Sequence, residues 1–139
     1  MYDSEKKVLY VSCINGMPTD KDGNGYIARV GLDGKVLAQK WITGMDAPKG
    51  MGIEKNRLYV TDIDRIHEID IEKGEIISTY KAKGAKFLND IAIDETGKVY
   101  ISDMETNKIY IFSGDKLNVW MISKFKKVNG LLYRKGELV

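Results

Sequence analysis

Histidine, cysteine and proline are nearly missing from this chain, and each scarcity excludes something. Its 139 residues include one His, one Cys and two Pro. With His67 as the only imidazole, no multi-histidine metal site and no His-based triad is expected. A place on the surface or between packed sheets is expected for it instead. The single Cys13 excludes an internal disulfide framework. With no His or basic partner nearby in sequence, it reads as a packed thiol and not as a nucleophile. Charge of one sign is missing as well. There are 22 Lys and Arg against 20 Asp and Glu, interleaved, for a net charge of +2. So even a balance predicts no nucleic-acid partner. No apolar run is long enough to span a membrane, so no membrane partner is expected. The opening residues, MYDSEKKV, lack the apolar stretch of a signal peptide, which makes a cytoplasmic location the default expectation. Helical periodicity is also absent: no segment sustains an apolar stripe over three turns behind an N-cap.

What is present is alternation and repetition. Hydrophobic residues make up 43% and charged residues 30%, the balance of a globular domain. Val8–Ser12, Tyr26–Leu32 and Val36–Ile42 read as strands. So do Gly50–Ile53, Leu58–Thr61, Arg65–Ile71 and Ile76–Tyr80. A third set follows at Asn89–Ile93, Val99–Ser102, Lys108–Phe112 and Leu117–Met121. Turn formers such as Asp33-Gly34, Lys73-Gly74 and Gly114-Asp115 separate them. Within Arg65–Ile71, Ile69 and Ile71 share a face and Ile66 falls out of step. Lys49, Asn89 and Asn129 head equivalent copies, 40 residues apart each time. A fixed period of that size marks a repeat architecture.

Four antiparallel strands per repeat of about 40 residues is the layout of a β-propeller blade. The expectation is an all-β chain with no helices, forming a β-propeller fragment. It would hold about three four-stranded antiparallel blades of a six-bladed propeller. Blade one spans 2–42, blade two 47–80 and blade three 85–121, and a fourth starts within 126–139. The Gly-His and Trp-Asp signatures of WD repeats are absent. Tyr10, Tyr59 and Tyr100 recur at one blade position and should pack between blades. Propellers close with about 4–8 blades. The chain is therefore expected to be a piece of a longer propeller, or half of a ring that two copies close. Either way its end blades leave apolar faces uncovered, surfaces for self-association.

The motifs PKGMGI, FLNDIAIDETGKVYISD and VNGLLY resemble a superfamily of six-bladed propellers. It includes senescence marker protein, gluconolactonase and luciferin-regenerating enzyme, with NHL-repeat propellers as the nearest structural relatives. The resemblance implies a divalent metal in the central channel, held by two asparagines, a Glu from the first blade and an Asp from a later one. Asn89 and Asn129 match the two asparagines. The Glu would precede Met1 and the Asp would follow Val139. The implied activity is hydrolysis of a lactone or ester, with the metal polarising the carbonyl and activating water. The implied cofactor is calcium, magnesium, manganese or zinc. Many relatives are exported, which makes a periplasmic or secreted parent protein the competing expectation for location.

The residues support part of this by themselves. Innermost strands face the channel, and their first residues lie near its mouth. Two amide oxygens there are hard, neutral donors. Without a carboxylate they are too few, so the isolated chain is expected to be inactive. The structural alternative is that each Asn merely bonds neighbouring backbone. Strand alternation turns Asp90 away from Asn89, into a supporting place behind the ligands. Lys49 heads the inner strand of blade two and is expected on the channel rim, as are Asp62 and Asp103 at the ends of second strands. Asp20–Ile27, DKDGNGYI, matches the first half of a calcium loop and offers Asp20, Asp22 and Asn24 as ligands. Gly31 stands where the bidentate Glu belongs, and the flanking helices are absent. The alternative is a polar hairpin loop over the channel mouth. Two functions remain: a metal-dependent hydrolase, or a non-catalytic NHL-like propeller that binds a small ligand or a protein on its rim.

Overall fold

Alternating apolar residues, broken by Gly, Asn and Asp, cut this chain into short strands rather than helices. The computed structural model describes residues 1–139. Blade one is β1 (Tyr2–Asp3), β2 (Val8–Cys13), β3 (Gly25–Gly31) and β4 (Val36–Met45). Blade two is β5 (Pro48–Glu54), β6 (Arg57–Asp62), β7 (Arg65–Asp70) and β8 (Glu75–Lys81). Blade three is β9 (Leu88–Ile93), β10 (Val99–Asp103), β11 (Lys108–Ser113) and β12 (Lys116–Ile122). A two-stranded hairpin, β13 (Tyr133–Arg134) with β14 (Glu137–Leu138), follows. Each four-stranded sheet is ordered as its strands occur in sequence, all antiparallel. No helix is long and apolar enough to cross a membrane.

The second strands of blades two and three are buried on both faces. Every residue of β10 is buried, and every residue of β6 after Arg57. One core joins blades one and two through Tyr10, Ile27, Met45, Leu58, Val60 and Ile69. A second joins blades two and three through Tyr59, Ile66, Leu88, Ile101, Tyr110 and Phe112. Ile66 thus falls out of step because it serves the second core while Ile69 and Ile71 serve the first. A strand sandwiched between neighbours needs apolar groups on both faces. Tyr10 stacks on Trp41 with ring centroids 4.7 Å apart, and Tyr59 meets Phe112 at 5.7 Å. The recurrent tyrosines therefore pack in the sheets and between them.

Antiparallel pairing fixes which ends share a face of the molecule. Pro48 pairs with Asp62, Asp62 with Arg65, and Arg65 with Lys81. In blade three Leu88, Asp103, Lys108 and Ile122 line up the same way. The inner-strand heads, the ends of the second strands and the ends of the outer strands all lie on one edge. The long loop between β2 and β3 opens on that edge too, since Cys13 pairs with Tyr26.

Candidate functional site

Three inner-strand heads are held by one repeated device. Ser12 Oγ donates to the Lys49 carbonyl at 2.7 Å, Thr61 Oγ1 to the Asn89 carbonyl at 2.8 Å, and Ser102 Oγ to the Asn129 carbonyl at 2.6 Å. Each hydroxyl ties the end of one blade's second strand to the head of the next blade's first. The same Thr61 and Ser102 oxygens accept the Gly50 and Asp90 backbone N–H groups of their own blades, at 2.9 and 3.0 Å. Sequence reasoning overlooked these hydroxyls. The signal was there: a Ser or Thr closes the second strand in every copy.

The clamps bring Asn89 and Asn129 together, with the Asn89 amide N–H donating to Asn129 Oδ1. Gly50, Asp90 and Gly130 occupy equivalent positions, and only Asp90 carries a side chain. Its carboxylate accepts the Leu131 and Ile91 backbone N–H groups, each at 2.9 Å. A glycine on either side makes room for it. A Cβ on Gly50 would fall 2.3 Å from the Asn89 carbonyl oxygen and 2.9 Å from Asp90 Oδ1. Asp90 thus braces the inner strand of blade three against the Asn129–Leu131 segment, behind the two amides. Lys49 is bent back: its Nζ donates to the Ala47 carbonyl at 2.8 Å and stands over the Phe87 ring at 4.5 Å. Burial lowers its pKa, against the pull of Asp62.

Asp62 and Asp103 do not line an open rim, as the sequence suggested. Both are wholly buried. Asp62 accepts the backbone N–H groups of Asp46 at 2.9 Å and Ala47 at 2.6 Å. Asp103 accepts those of Lys86 at 2.9 Å, Phe87 at 3.2 Å, Glu105 at 3.0 Å and Thr106 at 3.1 Å. Each ties down the segment that leads into its own blade. The donors are main-chain groups, which leave no trace in the pattern of side chains. Asp62 also meets His67 Nε2 at 2.9 Å, and His67 Nδ1 meets Thr79 Oγ1 at 2.9 Å. An Asp–His–Thr chain therefore exists where the sequence predicted no His-based triad. Burial pushes the Asp62 carboxyl up, but His67 and the two N–H donors outweigh it and hold it below the usual range. An ionised Asp62 only accepts, so Nε2 carries the proton; in the neutral ring Nδ1 then accepts from Thr79. His67 is buried between blades.

The calcium half-motif does something else. Asp22 accepts the backbone N–H of Asn24 at 3.2 Å and its side-chain amide at 2.6 Å. Asp20 is exposed, and its N–H donates to the Met17 carbonyl at 3.3 Å. Asp22 is thus engaged by Asn24, whose own Oδ1 is buried without a hydrogen-bond partner. The loop leans on blade two instead: Gly23 N–H reaches Asp46 at 3.0 Å, and Lys21 reaches Asp64 at 2.7 Å. No group of three His, Cys, Asp or Glu side chains is arranged to hold a metal. At the strand heads, Asn89 and Asn129 suit a hard divalent ion in kind but not in number, since Ca²⁺ takes about 6–8 oxygens.

No family model and no curated relative matches this sequence. Solved structures do. A chain of a nidogen/laminin complex is 17% identical with a TM-score of 0.69, over 94% of this chain and 49% of that one. Luciferin-regenerating enzyme is 14% identical with a TM-score of 0.70, over 97% of this chain and 49% of its own. The PQQ-bound aldose sugar dehydrogenase of Streptomyces coelicolor is 15% identical with a TM-score of 0.67, over 96% and 52%. The chain spans about half the length of each. At these identities the likeness concerns the fold, and on that ground the chain folds as about three four-stranded blades of a β-propeller.

Proposed function

We propose that this chain forms part of a propeller whose channel mouth, headed by Asn89 and Asn129, serves a divalent-metal-dependent hydrolase of lactones or esters. The observation that carries the reading is the meeting of the Asn89 amide, near the head of β9, with the Asn129 amide one repeat later. A bound divalent ion would supply Lewis acidity and water activation. The chain's own residues do the positioning. The amides of Asn89 and Asn129 supply two oxygens once their mutual bond is exchanged for the ion, through soft terminal torsions. Asp90 and the hydroxyls of Thr61 and Ser102 hold the strands that carry them. Carboxylates from elsewhere in the ring would complete the donor set, so the 139-residue chain by itself is expected to leave gluconolactone unhydrolysed.

Paramagnetic Mn²⁺ provides the test. On titration of the purified chain, the side-chain amide signals of Asn89 and Asn129 should broaden before all other NMR signals. Asn89→Ala should abolish that selectivity. Equal broadening at the exposed acidic loop around Asp20 and Asp22 would overturn the reading.

A second reading is a non-catalytic propeller that binds a protein or a small ligand on its rim. It is favoured by the concentration of charge where the β2–β3 loop meets blade two, at Lys21, Asp46, Asp64 and Arg65. The similarity to a chain of a nidogen/laminin complex supports protein binding as a use of this fold.

A further inference from the structure

The same edge carries a small cleft of 180 Å³ whose walls are Lys21, Asp64, Arg65, Thr79 and Lys81, with no apolar residue among them. One water occupies ~30 Å³ of liquid, so the cleft is larger than a hydration site needs. Its cations come from three directions. Lys21 descends from the blade-one loop and bonds Asp64 at 2.7 Å. Arg65 heads β7, with one Nη held by Asp46. Its Nε is buried without a hydrogen-bond partner, 3.4 Å from an equally unpartnered Asp64 Oδ1. Lys81 closes β8, its side chain 79% exposed and its Nζ 3.8 Å from Asp64. Thr79 and Lys81 lie two apart on one strand and so point to the same face.

A purely structural staple accounts for Lys21 and for the Arg65–Asp46 pair. It does not account for Lys81 or for the unpartnered Arg65 Nε. Three cations surround one carboxylate, and Asp64 stays ionised: burial pushes it up, but Lys21, Arg65 and Lys81 hold it below the usual range. Even with Asp46 counted against Arg65, the three cations outnumber the two carboxylates, and the cleft is positive overall. We infer that it binds a tetrahedral oxyanion, of the phosphate or sulfate kind, through Arg65, Lys81 and Lys21. Donors converging from separate strands and a loop match oxygens spread in three dimensions better than the planar pair of a carboxylate. The site lies on the outer rim, away from the strand heads of the channel, so it stands or falls independently of the metal.

Sodium sulfate and inorganic phosphate are the probes, with chloride and acetate at matched ionic strength beside them, read by amide NMR on the whole chain. Saturable shifts at Lys21, Asp64, Arg65 and Lys81 with the two tetrahedral anions are expected. Lys81→Gln, an exposed change that the fold tolerates, should weaken them about tenfold, the size of one charge-assisted hydrogen bond. Lys35→Gln, on the remote β3–β4 turn, should bind like the unaltered chain. Three outcomes would overturn the inference: shifts that chloride reproduces, acetate binding as tightly as sulfate, or affinity unchanged in Lys81→Gln.

Discussion

At the scale of single residues, the hydroxyls of Ser12, Thr61 and Ser102 matter more than their modest polarity suggests. Thr61 is wholly buried and links three backbone groups, the N–H of Gly50 and the carbonyls of Gly50 and Asn89. Thr61→Val keeps the shape and strands the Gly50 N–H and the Asn89 carbonyl. Leaving buried polar groups unsatisfied costs about 1–3 kcal/mol each. We expect urea denaturation to show a loss of at least that size, with Thr61→Ser close to the original stability. A Thr61→Val protein as stable as the parent would mean that the clamp is incidental. The reach of sequence reasoning is clearest at this scale. Asn89 and Asn129 could be placed side by side because the period puts them at equivalent points. Asp62 and Asp103 were placed on an open rim because their partners are loop main-chain groups. An aspartate that accepts backbone N–H groups looks in sequence like one that faces solvent.

At the scale of elements, the turns carry the acid sensitivity. Asp70 ends β7 and accepts the N–H groups of Lys73 at 3.0 Å and Glu72 at 3.1 Å. It also binds Asn56, in the turn between β5 and β6, at 2.9 Å and Arg57, the first residue of β6, at 2.8 Å. One carboxylate therefore joins both turns on that edge of blade two. The Lys73 N–H, with Asn56 and Arg57, holds its pKa down to about 2. In an unfolded chain an aspartate titrates near 3.9. A pKa lower in the folded state stabilises the fold while the group is ionised. The contribution is thus complete above about pH 4 and is lost as pH falls towards 2. Thermal melts should show the midpoint dropping through that window, and Asp70→Asn should lower the midpoint at neutral pH and flatten the drop. An equally steep acid transition in Asp70→Asn would assign the sensitivity to other carboxylates. The strands themselves were legible from alternation. β7 was legible too, although its two-sided burial breaks the simple rule that one face is apolar.

At the scale of the whole molecule, the end faces dominate. Blade three presents Trp120 (48% exposed), Ile122 (66%) and Phe125 (81%) to solvent. At the opposite end Leu32, Val36 and Leu37 are more than half exposed. Inside the ring such side chains lie between blades, as Tyr59 and Phe112 do. Large exposed apolar patches mark contact surfaces. We predict that the isolated chain self-associates through these faces. Light scattering should give a mass that rises with concentration above 15.7 kDa, and Phe125→Lys with Trp120→Lys should reduce it. A steady monomer across concentrations would exclude this. The blade count was legible because a 40-residue period cannot arise from unrelated strands. The rim cleft was not, since Lys21, Arg65 and Lys81 meet only once a blade-one loop crosses onto blade two.

The hydroxyl clamps have a direction. In every case the donor belongs to an earlier stretch of chain and the acceptor to a later one: Ser12 waits for Lys49, Thr61 for Asn89, Ser102 for Asn129. During synthesis each new blade would find its anchor already made, so the ring would be laid down vectorially. Shortening the chain from its two ends should then be unequal. Removing residues after Ile122 spares the clamps onto Lys49 and Asn89, whereas removing residues before Gly25 takes away Ser12 and frees the head of blade two. Hydrogen exchange at Gly50–Ile53 should rise in the second truncation and stay slow in the first.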